Sequence, residues 1–228
     1  EISACLVGSE MCIRDRFARV DILVKRGAEV ELIEVKATSY DPDAPPRPTA
    51  DWLPYLRDIA FQHHVFSLAH PALRARGFLM MPDKTRRCTV DRLGGRFRIR
   101  RGPKGPLVEL APGAAEGLGE PILTQVDVHH ELARVQGSDL VHPGGYGPFA
   151  EVIASWAEAL QADHRLPARV GLHCRKCQFR NPVALSDKRS GFHECWSQAP
   201  GATPERLARG TVLDVWKLRP QKTLEAGR

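Results

Sequence analysis

Apolar and polar residues alternate along residues 17–36. Val20, Ile22 and Val24 interleave with Arg19, Asp21 and Leu23, and in the next run Val30, Leu32, Glu34 and Lys36 share a face, because side chains on a strand repeat every two residues. Gly27 lies between the runs and can take the positive φ of a tight turn at Arg26-Gly27. The pattern predicts two strands of a hairpin. Residues 37–51 hold Pro42, Pro45, Pro46 and Pro48, which suits a loop and neither helix nor central strand. The period then changes. Leu56, Ile59, Ala60, His63 and Phe66 recur at spacings of three and four. This predicts a helix over 54–69, with Pro54 in its first turn. Asp58 and Gln62 stand four apart on its flank. Residues 77–81, Gly-Phe-Leu-Met-Met, predict a buried strand.

Further along the patterns weaken. Residues 85–101 suggest two polar strands around Gly94-Gly95, residues 102–121 a loop, 122–128 a short strand and 131–135 a helical turn. The run 143–148, Pro-Gly-Gly-Tyr-Gly-Pro, is a break. Residues 149–162 predict a helix with Phe149, Ile153, Trp156, Ala157 and Leu160 on its inner stripe. Residues 212–218 suit a strand or a docking segment. The expected fold class is α/β, a mixed central sheet flanked by helices.

Composition changes this picture in three places. No run approaches the ~18 apolar residues of a membrane span. Residues 1–16 end in Met11-Cys12-Ile13-Arg14-Asp15-Arg16, which resembles a translated sequencing-adapter end. They are set apart as an artefact, and the native N-terminus is expected to be missing. The remainder carries 31 basic against 24 acidic residues, a formal +7, and suits a polyanionic partner. Arg86, Arg87, Arg92, Arg96, Arg98, Arg100 and Arg101, with Lys104 behind them, form a cluster that could track phosphates. Outside residues 1–16, Cys88 stands alone, expected as a packed thiol, while Cys174, Cys177 and Cys195 group near the C-terminus. Three grouped thiols without a secretory segment argue for a reduced, cytoplasmic setting and for metal ligation.

The first candidate constellation is Asp21, Glu34 and Lys36. Two acids and a lysine on adjacent strands suit a divalent metal and a water held for attack on phosphate. The same spacing also serves a routine surface ion pair. The second constellation is His173-Cys174-Arg175-Lys176-Cys177 with His193-Glu194-Cys195-Trp196. Cys-x-x-Cys with one later cysteine suits zinc, with His173 or His193 as fourth ligand, or an iron–sulfur cluster.

Asp21, Glu34-Val35-Lys36 and Asp58-Ile59-Ala60-Phe61-Gln62 resemble the PD-(D/E)XK nuclease superfamily in its RecB-like branch. The resemblance implies a restriction-endonuclease-like core and a Mg²⁺- or Mn²⁺-dependent nuclease acting on phosphodiester bonds in DNA. Asp21 and Glu34 would hold the metal with the Val35 carbonyl. Lys36 would orient or activate water, and Gln62 would help position the site. The branch usually has Tyr four residues after the glutamine, where this chain has Phe66. It also has an upstream acid or histidine, for which His63 and His64 are not obvious replacements. His63 is expected to face the core and His64 to meet phosphate.

Some RecB-like nucleases hold a [4Fe–4S] cluster on one early and three late cysteines. This implies cluster binding by Cys174, Cys177 and Cys195, with the fourth ligand upstream. Blocks over most of residues 17–228 are similar to a bacterial family of unknown function, in which an exonuclease-like domain follows the nuclease. The expected organisation is a truncated nuclease core over 17–171, a cysteine-rich lobe over 172–196, and a tail over 197–228 leading to a further domain. The rival expectation is a non-catalytic nucleic-acid-binding module with structural zinc.

Overall fold

The computed structural model describes residues 4–215, apart from 14–15, 45, 48, 50, 104, 115–116, 143–144, 182–188 and 200–201. The chain is mixed α/β and divides into two compact units, residues 1–140 with 147–161, and residues 141–146 with 162–228.

The first unit is built on a five-stranded sheet. Its strands are β1 (Ala4–Ile13), β2 (Arg16–Arg26), β3 (Glu29–Val35), β4 (Arg74–Pro82) and, further along the chain, β7 (Leu123–Asp127), in the spatial order β1-β2-β3-β4-β7. The sheet is mixed: β3 runs parallel to β4, and the other neighbours are antiparallel. The hairpin of β2 and β3 is the one the alternation predicts, with Gly27 at φ +62° in its turn. The stretch set apart as an artefact takes a place here as the edge strand. Backbone pairing of that kind is open to any extended segment at an exposed sheet edge.

A parallel neighbour needs a crossover, and α1 (Leu53–Ala69) supplies it. Val30 and Leu32 of β3, Leu79 and Met81 of β4, and Val126 of β7 form one apolar face. Leu56, Ile59, Ala60, Val65 and Phe66 of α1 pack against it, joined by Leu132 and Val135 of α2 (His129–Gln136) and by Phe149, Val152 and Ile153 of α3 (Phe149–Gln161). Leu160 is 73 % exposed. The expected inner stripe of α3 therefore stops short of it, because the last turn runs past the sheet-facing core.

The middle of the chain departs from expectation. Gly94-Gly95 sits in a 3₁₀ turn, Leu93–Arg96, and does not join two strands. The hairpin lies later, as β5 (Phe97–Gly102) and β6 (Gly105–Leu110), so part of the expected loop over 102–121 is strand. Residues 145–148 of the expected break are themselves a strand, β9 (Gly145–Pro148), which pairs with β8 (Asp139–His142). Cys88 is exposed, contrary to a packed thiol, and its Sγ donates to the Val90 carbonyl at 3.0 Å.

Among its described residues the second unit has short elements, including a 3₁₀ turn (Leu172–Lys176), α4 (Gly191–Trp196), α5 (Pro204–Ala208) and a 3₁₀ turn (Val212–Asp214). Cys174, Phe192 and Leu213 form its small core, with Val170, Cys177 and Trp196 against them. The segment over 212–218, expected as a strand or a docking segment, is a turn in its described part, and Leu213 packs into the small core. Residues 216–228 of the expected tail lie outside the described residues. Among the described residues no helix is long and apolar enough to cross a membrane.

Candidate active site

Glu34 ends an apolar row. Val30 and Leu32 precede it on the same face of β3, and the fully buried Leu79 is its neighbour on β4. Glu34 itself is 8 % exposed. A carboxylate so placed is costly unless it finds partners, and the fold supplies two. Lys36 Nζ donates to Glu34 Oε1 at 2.6 Å, and Gln62 Nε2 of α1 donates to Oε2 at 2.8 Å. Lys36 Nζ also donates to Asp58 Oδ2 at 2.6 Å, while Gln62 Nε2 lies 3.4 Å from Asp58 Oδ1. One ammonium and one amide thus bridge the same two carboxylates.

Asp21 reaches this strand end by another route. Its Oδ2 accepts from the Val35 backbone N–H at 2.9 Å. The β1–β2 ladder passes from the Val7–Ile22 pair to the Ser9–Val20 pair without a pair at Asp21. Leu23 on one side of Asp21, and Val20 and Ala18 on the other, all belong to the main core. Regular alternation would split these positions between faces. The alternation therefore breaks at Asp21, where the side chain turns to the neighbouring strand's amide.

Two residues at this site have no role assigned from the sequence: Asp58, which opens the helix segment of the motif, and Tyr55. Asp58 is the second carboxylate on Lys36. The Lys36 ammonium also sits 5.6 Å above the Tyr55 ring centroid, and the Tyr55 hydroxyl meets Thr38 Oγ1 at 2.7 Å. Tyr55, Asp58 and Gln62 stand three and four apart, a polar stripe beside the apolar one, and that spacing is the signal that finds them. Phe66 is 2 % exposed in the core, and the tyrosine ring near Lys36 comes from the first turn of α1.

Burial pushes the Glu34 carboxyl above its ordinary range. The hydrogen bonds from Lys36 and Gln62 oppose this, and the nearby Asp58 charge adds to it. For Lys36, burial pulls downward, but Asp58 and Glu34 outweigh it and hold the ammonium above the ordinary lysine value. His63 is lowered by burial and meets the Ala75 carbonyl at 3.2 Å, as expected of a core-facing histidine. The His64 ring packs edge-on against Phe149 at 5.8 Å.

Among the described residues, no three acidic, histidine or cysteine side chains converge closely enough to hold a metal ion as they stand. The oxygen chemistry nevertheless suits a hard cation, because Mg²⁺ is commonly held by one or two carboxylates, keeping waters and taking substrate oxygens. Gln62 Oε1 is buried beside these carboxylates without a hydrogen-bond partner. A buried acceptor of that kind calls for a donor such as an ordered or metal-bound water.

The second unit contains a cavity of about 320 Å³ whose lining includes Cys174, Cys177, Cys195 and His173. Cys174 is buried and the other two thiols half-buried. His193 is not among the lining residues, and its Nδ1 meets Ser190 Oγ at 2.7 Å. The expected thiols thus share one cavity, and of the two histidines His173 is the one beside them.

No protein-family model, no curated protein and no solved structure matches the chain.

Proposed function

We propose that the chain is a metal-dependent nuclease of the PD-(D/E)XK type, with a restriction-endonuclease-like core, that hydrolyses phosphodiester bonds in DNA in the cytoplasm. The observation that carries this is the buried Glu34 carboxylate held between Lys36 and Gln62, at a strand end that Asp21 also reaches. A purely structural ion pair does not need a buried glutamate, a second carboxylate on the same lysine and an amide oxygen left unpaired.

In this reading Asp21 and Glu34, with the Val35 carbonyl, would hold Mg²⁺ or Mn²⁺. The ion supplies charge compensation on the phosphate oxygens and makes bound water more acidic. Gln62 fixes the orientation of Glu34. Lys36 remains protonated at neutral pH, because two carboxylates raise it. It therefore acts as a hydrogen-bond donor that orients water or steadies the phosphate, and not as the base. Glu34 gives up its raised protonation tendency when a cation lies beside it.

The three thiols of the second unit are assigned to a structural [4Fe–4S] cluster, with zinc as the competing occupant. Their sharing of one cavity supports ligation of a single group. A brown chain with visible absorbance after anaerobic purification supports the cluster. A colourless zinc-containing chain supports the rival reading as a non-catalytic nucleic-acid-binding module.

The test of the main proposal is cleavage of DNA with Mg²⁺ or Mn²⁺. Glu34→Ala and Lys36→Ala are each expected to lower the rate by about a hundredfold or more, the scale of removing a transition-state charge partner. Undiminished cleavage by both variants defeats the assignment.

A further inference from the structure

The hairpin of β5 and β6 stands apart from the core in character. Every described side chain of its strands is exposed except Gly102, which is half-buried. Phe97 pairs with Leu110, Ile99 with Val108, and Arg101 with Pro106. Paired residues of an antiparallel ladder share a face, so this face is an apolar strip with an arginine at its tip end. Ile99 is 76 % and Val108 65 % exposed. The other face carries Arg98 and Arg100, and Arg100 pairs with Glu109 at 3.0 Å. A two-stranded ribbon without cover is at best marginally stable in water, and an apolar strip of this kind marks a contact surface.

The charge says what covers it. Between Arg92 and Leu110, six basic residues stand against Glu109 alone. That is a formal +5, against +6 for the whole chain. Arg98 and Arg101 form no ion pair among the described residues. Four of those six, Arg98, Arg100, Arg101 and Lys104, fall between Phe97 and Leu110, a formal +3 for the hairpin segment itself, and Arg92 and Arg96 belong to the turn that leads into it. The grooves of duplex DNA admit a two-stranded β-ribbon, with cationic side chains on phosphates and apolar side chains against sugars and base edges.

We propose that the β5–β6 hairpin is a DNA-binding arm that lies in a groove of duplex DNA. Arg98, Arg100 and Arg101 contact phosphates, and Ile99 and Val108 are withdrawn from water against the duplex. The arm rests on the nuclease reading only for its choice of polymer, and it binds without metal or catalysis.

The experiment is a salt titration of binding between the full chain and a short duplex, in the absence of divalent metal. The triple variant R98A/R100A/R101A is expected to weaken binding and to flatten the log–log salt slope by about 2.7, from about 0.9 per phosphate contact. The corresponding Arg→Lys triple variant keeps the slope. Ile99→Ser with Val108→Ser weakens binding at every salt concentration and leaves the slope unchanged, because apolar contact releases no counterions. Wild-type slope and affinity in the alanine variant overturn the proposal. So does a wild-type chain that binds anionic vesicles or an acidic protein at least as tightly as duplex DNA. Metal-dependent cleavage that survives with arm-independent binding sinks the arm and leaves the nuclease. Arm-dependent binding with no cleavage in any metal supports the arm and sinks the nuclease.

Discussion

Lys36 donates to Glu34 and Asp58 at the same distance, 2.6 Å, so its charge depends on both. The direction of its shift gives a prediction in pH. Lysine ordinarily titrates at 10.5, and here the folded value lies higher. Its contribution to stability is therefore complete below 10.5 and is lost as pH rises through the folded value. If the protonated amine serves catalysis, Asp58→Asn removes one of the groups that raise it. The alkaline limb of the rate profile then moves to lower pH. The rate at neutral pH is expected to fall roughly ten- to hundredfold, on the scale of one charged hydrogen bond. A pH–rate profile with an unmoved alkaline limb would show that Asp58 does not position Lys36. The Glu34–Lys36 pair was legible in the sequence because a charge that closes an apolar strand needs a partner, and Gln62 was singled out through the family resemblance. The contact of Lys36 with Asp58, a residue already named on the helix flank, and the place of Tyr55 were not legible, because polar residues on a helix flank ordinarily face solvent. Their role appears only once α1 is laid across β3.

At the scale of elements, the same contrast follows from burial. The hairpin of β2 and β3, the helix α1 and the strand β4 each bury one face, and burial writes a period into the sequence. The β5–β6 hairpin buries almost nothing; Phe97 to Arg100 do alternate, but so short a run does not fix the strand ends, and the glycines at 94–95 draw the turn to the wrong place. The layer that positions the site is close-packed at Gly77 of β4. A Cβ there would fall 2.2 Å from Leu132 Cδ1 of α2 and 3.2 Å from Ile59 Cγ1 of α1. Those two helices approach the sheet where the glycine lets them, and Gln62 and Asp58 are carried by the same α1. Gly77→Ala is expected to destabilise the chain by about 1–3 kcal/mol through overpacking. A denaturant midpoint shows the loss. An unchanged midpoint would mean that the helices can shift freely, and then the Glu34–Gln62 contact is not held by this packing.

At the scale of the whole molecule, the two units differ in what holds them. The first has a continuous core running from the sheet through three helices. The second has Cys174, Phe192 and Leu213 at its centre, with a bidentate contact from Arg180 to Asp214 at 2.5 and 3.1 Å. A core this small seldom stabilises a fold without a disulfide or a bound metal, and its cysteines are free thiols. Ligation of one group by Cys174, Cys177 and Cys195 would couple binding to folding, because such a site does not exist in the unfolded chain. The expected outcome is local. If the thiols hold a metal or cluster as proposed, stripping it with a chelator, or changing Cys177→Ser, should make the backbone amides of Cys174, Cys177 and Ser197 exchange rapidly. These now donate to the Gly171, Cys174 and His193 carbonyls. The amides of Val35 and Lys36, bonded to Asp21 and to the Met80 carbonyl, should keep their protection. Hydrogen exchange followed by mass spectrometry, alongside a metal and sulfide assay, reads both halves. Equal protection of the second unit with and without the bound group would mean that its own packing suffices and that the thiols are not its fastening.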